Sequence, residues 1–305
     1  MVVNVRELRF SDVSRFLELA LSNVGELEAQ LGLQARSERQ LRPLESRGAW
    51  FLLRFLRLLG RSPVRLFVAE DRGTLVGTTV AVLLGPWAYV AAVGVREDHR
   101  RAGVAQALVR RAEEVGERAR KDTMVLEVDA KNEAARSLYA KLGWSTGPLV
   151  RWWELPSQPP PVQGVRARPA RRQERTMGHE ASAARLGFDF PGRFLHPCEF
   201  VCRGPGGRHG TWAAGPVGSP SLVVRYWAGA VGESGFLLPV TTSETPAREE
   251  DVVLEAGRAE LLRSGNQGLY VPVLGDDPHL EELLRTFGGS PKVASEIWWK
   301  RAIPV

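Results

Sequence analysis

The stretch that most constrains this chain runs from Tyr89 to Val115. Tyr89 to Val95 is an apolar run with the length and continuity of a buried strand. A short polar loop follows, and then Leu108, Val109, Ala112 and Val115 recur at helical spacing. The junction reads Arg100-Arg101-Ala102-Gly103-Val104-Ala105. Gly103 and the small Ala105 leave backbone N–H groups uncovered at a helix start, where the helix dipole favours an anion. Arg100 and Arg101 add positive charge at the same place, so the junction suits a phosphate or pyrophosphate. No Gly-Lys-Ser/Thr follows, which excludes a nucleotide P-loop. The glycine does not come directly after the strand, which excludes a dinucleotide fingerprint.

A second stretch, Val125 to Trp144, predicts a strand, an Asn132 N-cap, a short helix and a glycine stop at Gly143. Along its strand Leu126 and Val128 take one face, and Glu127 and Asp129 the other. Two carboxylates on a central strand are costly to bury, which marks them as candidates for chemistry.

Together the two stretches resemble the signatures of the GNAT N-acetyltransferases. The first matches the (Arg/Gln)-x-x-Gly-x-(Gly/Ala) loop. The second matches at Asn132, Ala135, Leu138, Tyr139, Gly143 and Trp144, in family order and at family spacing. The resemblance implies acetyl-CoA as acyl donor, its pyrophosphate on Arg100, Arg101, Ala102, Gly103, Val104 and Ala105, and Asn132 also at the cofactor side. It implies that the backbone of Val93 and Val95 holds the pantetheine arm, and that Tyr139 protonates the departing thiolate. The first half is similar to the ribosomal-protein N-terminal acetyltransferases, whose Leu-Glu-Val strand carries a base acting through water; here that residue is Glu127. Asp129 is the candidate partner of a cationic amine. The likeness to those enzymes weakens after Gly143, because Leu149 to Leu155 has no tyrosine where they carry one.

At 305 residues the chain fits two domains. The net charge of +6 comes from arginines spread along the chain, which reads as a solvated surface and indicates no nucleic-acid partner. Two cysteines, Cys198 and Cys202, do not make a disulfide framework. No stretch reaches the roughly 20 apolar residues that span a bilayer, so no membrane partner is expected. With no apolar signal core near the start, the expected location is the cytoplasm.

Val2 to Phe10 reads as a first strand, and Ser11-Asp12 as the cap of a helix carrying Val13, Phe16, Leu17 and Leu21. Trp50 to Leu59 is apolar except for Arg54 and Arg57, a helix that packs on its domain, lines the acceptor site or joins a homodimer. Two strands, Arg65 to Glu70 and Leu75 to Leu84, meet at the turn Asp71-Arg72-Gly73.

Pro156 to Gly164 is a stiff proline-rich linker. Beyond it the pattern returns. Val165-Arg166 echoes Val5-Arg6; Glu199 to Cys202 and Gly210-Thr211-Trp212 echo Leu66 to Ala69 and Gly73-Thr74-Leu75. Phe236 to Val240, Val252 to Leu262, Leu269 to Leu274 and Leu280 to Gly288 echo the cofactor strand, its helix and the second signature. Ile297 to Lys300 echoes Val150 to Trp153.

The expected fold is therefore α/β, two GNAT folds in tandem, each a mixed, mostly antiparallel sheet flanked by helices. The expected division is 1–155, a linker 156–164, and 165–305. The second copy has no glycine and several acids between Thr241 and Asp251, and Leu284 stands where Tyr139 would be, so it is expected to be degenerate. His196, Cys198, Cys202 and His209 read as ordinary strand and turn residues, and no metal is expected. The function read from the sequence is acetyl transfer from acetyl-CoA to a primary amine, a small amine or a peptide N-terminus. The alternative is an acyl-CoA-binding sensor or partner-binding protein without turnover.

Overall fold

The computed structural model describes residues 3–22, 29–33, 38, 41–58, 62–157, 168–188, 190, 199, 208–243 and 250–301. The chain divides into two compact units. Unit 1 takes Met1–Ala29, Gln34–Thr146 and Ile297–Val305; unit 2 takes Gln30–Leu33 and Gly147–Glu296.

Unit 1 begins with β1 (Asn4–Glu7), a short 3-10 turn at Phe10–Asp12 and α1 (Val13–Ser22). After α2 (Arg47–Leu58) come β2 (Val64–Asp71), β3 (Thr74–Leu84) and β4 (Trp87–Val95). Then follow α3 (Val104–Arg118), β5 (Thr123–Asp129) and α4 (Glu133–Lys141). β1 to β4 pair antiparallel in sequence order, and β4 pairs parallel with β5. The β2–β3 hairpin closes at Arg72 and Gly73, both at positive φ, the conformation a two-residue hairpin turn needs. Both faces of this sheet are covered, so its strands bury successive residues. Phe67 packs with Val104, Leu108 and Ala112 of α3, while Leu66 and Val68 pack with Phe16 of α1 and Trp50 of α2.

Unit 2 contains β6 (Ser145–Leu155) from Gly147 onward, α5 (Arg172–Leu186), β7 (Arg208–Ala214), β8 (Leu222–Ala228) and β9 (Gly235–Thr241). These are followed by α6 (Glu250–Arg263), β10 (Leu269–Leu274), α7 (Pro278–Thr286) and the first part of β11 (Ser290–Arg301). Its strands run β7-β8-β9-β10-β6, with β10 antiparallel to β6 and parallel to β9.

The units do not follow the sequence division at 155 and 165. β6, the last strand of the first repeat, places Trp153 and Leu155 in the core of unit 2 beside Val271 and Leu284. The end of β11, the last strand of the second repeat, places Trp298 in the core of unit 1 beside Tyr139 and Trp144. Each repeat thus completes its sheet with the other's final strand. Alternation on β6 leaves no ring outside: Trp153 enters that core while Trp152 turns to the opposite face, against Phe236, and donates to Ser295 Oγ.

Two further expectations change, and others fall on residues that are not described. Ser11-Asp12 does not cap α1 directly; Asp12 lies in the preceding turn, where its carboxylate accepts the Arg9 N–H. Val165-Arg166, the expected echo of β1, lies outside the described residues; beside it Pro169 bridges Trp212 and the N–H of Ala170 donates to Thr211 O, so 168–170 meets β7 as β1 meets β2. β7 therefore answers to β2, and Gly210 to Trp212 is not the start of the next strand; that strand is β8. The proposed strand Glu199 to Cys202 lies outside the described residues, apart from Glu199, which is not in a strand. The linker prolines Pro159 to Pro161, with His196, Cys198 and Cys202, also lie outside them. His209 is on β7, stacked on Trp227. Among the described residues no group of three His, Cys, Asp or Glu side chains could hold a metal, and no helix is long and apolar enough to cross a membrane.

Candidate cofactor and active site

The site is made by two strands that part. β4 and β5 pair only from Trp87 to Tyr89 and from Thr123 to Val125. Beyond that the remaining residues of each strand, Val90 to Val95 and Leu126 to Asp129, have no ladder between them. On its other side β4 stays paired with β3, but with a register shift between Thr78 and Val80. Ala92, inside the shift, has φ +51°, a conformation that costs a non-glycine residue about 1–3 kcal/mol. Two buried hydroxyls hold it: Thr78 donates to Ala92 O at 3.2 Å and Thr79 to Ala91 O at 3.3 Å. The Arg96 N–H donates to Val76 O, which sets the phase of the ladder. Gly94 then faces β3, and by alternation Val93 and Val95 turn their N–H and C=O groups to the side where β5 has departed. Their side chains pack on the core of unit 1, so the valines serve as core residues and present backbone at once.

At the end of β4 the chain makes the loop into α3. Gly103 is the N-cap residue at φ +82°, and Arg101 is also left-handed at +62°. Ala107 donates to Gly103 O at 3.0 Å, the first bond of the helix; the N–H groups just before it have no intrahelical acceptor. Nothing lies within 4 Å of where a Cβ on Gly103 would be, so the helix start is open. Arg100, Arg101, Ala102 and Gly103 are exposed, Ala105 is half-buried, and Val104 is buried as the anchor of the turn. Arg100 Nε donates to Val95 O at 3.4 Å, tying loop to strand. The loop is braced by Arg96 and His99, both on Asp98; those contacts hold the Asp98 carboxyl well below its usual range.

On the other wall Glu127 is half-buried. Asp129 is engaged locally: Oδ1 accepts the Lys131 N–H at 2.8 Å and closes the turn into α4, so any contact to a cationic amine would fall to Oδ2. Asn132 caps α4 as expected, accepting the Ala135 N–H at 3.1 Å.

Tyr139 is 6% exposed and shares its core with Leu126 and Val128, against which Val93 and Val95 pack. Burial pushes its hydroxyl up to about 12. No hydrogen bond joins that hydroxyl to a described residue. Its ring is flanked by Trp144 at 5.9 Å and Trp298 at 6.1 Å. Trp144 Nε1 donates to Glu113, which also receives Lys300. The sequence reading missed this surround. Thr78-Thr79 in an otherwise apolar strand was a visible signal. Trp298 and Lys300 had only the repeated Trp-Trp pair to announce them.

Unit 2 repeats the frame with different side chains. β9 and β10 also pair parallel over two residues only, Gly235 with Leu269 and Phe236 with Tyr270. At the start of α6, Glu250 is buried, and its carboxylate takes the Ser221 hydroxyl and His279 Nε2. Asp277 caps α7 and receives Thr241 Oγ1 and Arg185. Leu284 is fully buried at the Tyr139 position. Residues 244–249 of the acidic loop lie outside the described residues.

The acetyltransferase (GNAT) family matches residues 32–144, the stretch that holds the parted strands, the α3 loop and Tyr139. Residues 32–144 thus carry a GNAT-family domain. The chain has the fold of tandem GNAT proteins. It is similar to a tandem GNAT protein from the clavulanic acid biosynthesis pathway, at 15% identity and TM-score 0.58 over 100% of both chains. It is also similar to a GCN5-related N-acetyltransferase from Sphaerobacter thermophilus, at 15% identity and TM-score 0.59, over 99% of this chain and 96% of that one. A putative acetyltransferase from Pyrococcus horikoshii gives 16% identity and TM-score 0.57, over 99% and 90%. No curated protein sequence matches the chain. The GNAT fold supports acetyl-CoA-dependent acetyl transfer as a general activity.

Proposed function

We propose that unit 1 transfers an acetyl group from acetyl-CoA to a primary amine by direct attack, and that unit 2 has no active site of its own. The observation that carries this is Tyr139: a buried tyrosine, held protonated, whose hydroxyl bonds no described residue. In unit 2 the equivalent residue is a leucine in a closed core.

Acetyl-CoA supplies the acyl group as an activated thioester. The open N–H groups at Gly103 to Ala105, with Arg100 and Arg101, fit its pyrophosphate. The outward backbone of Val93 and Val95 suits the pantetheine amides, and an N–H there would meet the oxyanion of the tetrahedral state. Glu127, acting through water, takes the proton of the attacking amine. Tyr139 gives its proton to the leaving sulfur, and a raised value means that proton is present throughout the neutral range. Asn132 caps α4 at the cofactor side and so fixes where the helix presents Tyr139.

The test is release of free thiol from acetyl-CoA over a panel of peptide N-termini, polyamines, aminoglycosides and amino-acid derivatives. At least one amine should turn over. Tyr139→Phe should keep CoA affinity and melting temperature while turnover falls by roughly ten- to ten-thousand-fold, the scale of general acid–base groups. Full activity in that variant would make Tyr139 a packing residue. CoA binding with no amine turned over would favour the other reading, a sensor.

A further inference from the structure

α4, the helix that carries Tyr139, ends at Leu142 and Gly143. Just beyond, the Trp144 N–H donates back to Tyr139 O at 3.0 Å. The Trp144 indole lies beside the Tyr139 ring, with centroids 5.9 Å apart, and its Nε1–H donates to Glu113 Oε1 at 2.6 Å. Glu113 is on α3, the helix that starts from the Gly103 loop. The same oxygen receives Lys300 Nζ at 3.1 Å, and Lys300 also donates to Leu142 O at 2.8 Å. We infer that Lys300, with Glu113 and Trp144, is a positioning residue for Tyr139, given the acid role proposed above for that tyrosine.

The polar character of this circuit argues for positioning. Glu113 is buried, and a carboxylate there is costly unless it is paired and hydrogen-bonded. An apolar side chain on α3 would cover Trp144 without that cost. What the carboxylate adds is direction. An indole has a single N–H, so its bond to Glu113 selects one orientation of the ring on which Tyr139 rests.

Lys300 fixes the helix as well as the ring. Its ammonium meets the carbonyl of the C-cap residue Leu142, where a cation complements the helix dipole. Asn132 fixes the other end of α4. Trp298 stands two residues before Lys300 on β11, on the same face of the strand, and closes the second side of the Tyr139 ring at 6.1 Å. The end of one strand thus supplies a wall for the ring and a clamp for its helix. Because Glu113 belongs to α3, the clamp sets Tyr139 against the helix that begins at the cofactor loop. A misplacement of about 1 Å can cost a reaction about a hundredfold. The last strand of the second repeat would in this way serve the chemistry of the first.

The test is a double-mutant cycle on the full chain, read as thiol release from acetyl-CoA with the amine of the panel above that turns over fastest. Lys300→Met should lower kcat at least about tenfold and leave KM for acetyl-CoA within about twofold, because the clamp acts on the acid and not on the Gly103 loop. In a Tyr139→Phe background the same substitution should change kcat by less than about twofold, since no proton remains to be placed. Lys300→Met also strands the Glu113 charge and should lower the melting temperature. Glu113→Gln with Lys300→Met removes both charges. That pair should regain the melting temperature but not kcat, because Leu142 O still lacks its cation. Lys292→Met, which removes an ion pair with Glu154 on the same strand, should leave kcat and KM unchanged. Unchanged kcat in Lys300→Met, an equal loss in the Tyr139→Phe background, or recovery of kcat together with the melting temperature would overturn the positioning role. Full activity of Tyr139→Phe, or no turnover with any amine, would instead remove the acid and its positioning with it.

Discussion

In unit 1, Arg6 holds Asp12 at 2.6 Å, and Asp12 accepts the N–H of Arg9. In unit 2, Arg168 holds Glu174 at 2.8 Å, and Glu174 accepts the N–H of Arg171. Asn132 and Asp277 each cap a short helix at 3.1 Å, and Gly143 and Gly288 each stop it at positive φ. The structural devices were kept in both copies. The difference falls at the ligand end. α3 opens on a bare glycine, whereas the first turn of α6 carries the buried Glu250, whose carboxylate is taken by Ser221 and His279. Tyr139 became Leu284, and Arg185, Thr241 and Asp277 bond one another.

The comparison breaks most visibly if the copies are separated. A chain ending at Ser157 lacks the end of β11 and leaves β6 without β10. Losing a buried tryptophan such as Trp298 alone costs about 3–5 kcal/mol, against a total stability of about 5–15 kcal/mol for a typical domain. This fragment should be aggregated or unfolded by circular dichroism and size-exclusion chromatography. Residues 1–144 joined by a flexible linker to 290–305 should recover soluble protein. A soluble, folded fragment ending at Ser157 would show that each copy stands alone.

Next in size is cofactor binding. Gly103→Glu should abolish CoA binding by calorimetry, since the side chain is strained at this φ and its charge sits at the helix start. Gly103→Ala, strained but neutral, should keep part of the affinity. Glu250→Gln should leave both affinity and a stoichiometry of one CoA per chain unchanged. Two CoA per chain in the native protein would refute the closed reading of unit 2.

The smallest effect is on acid stability. Arg168 holds the Glu174 carboxyl at about 2, below its ordinary 4.5. A depressed carboxylate stabilises the fold above its ordinary value, and that contribution is lost as pH falls through the folded value. The stability gap between the native chain and Arg168→Ala should therefore be full above pH 4.5 and shrink towards pH 2. Arg6→Ala should behave alike: burial raises Asp12, but the bonds from Arg6 and Arg9 outweigh it and hold it below 3.8. A gap that ignores pH would assign these arginines to packing alone.

Much was legible in the chain itself, because it depends on neighbours in sequence. The Gly103 turn, the Asn132 cap, the α4 stop and the repeat of the whole pattern are local, and hydrophobic period and capping chemistry report them directly. The alternation on β5 likewise separates Glu127 from Leu126 and Val128. What the tertiary structure decided is which strand completes which sheet. Val150 to Trp153 and Ile297 to Lys300 are so alike that either could close either core, and β-pairing energy comes from partners far along the chain. Only the packed units show Trp298 against Tyr139 and Trp153 among the side chains of unit 2. The positive φ of Ala92 was decided there too: Thr78-Thr79 stands out in an apolar strand, but that their hydroxyls hold the bulge at Ala91 and Ala92 depends on the β3–β4 register.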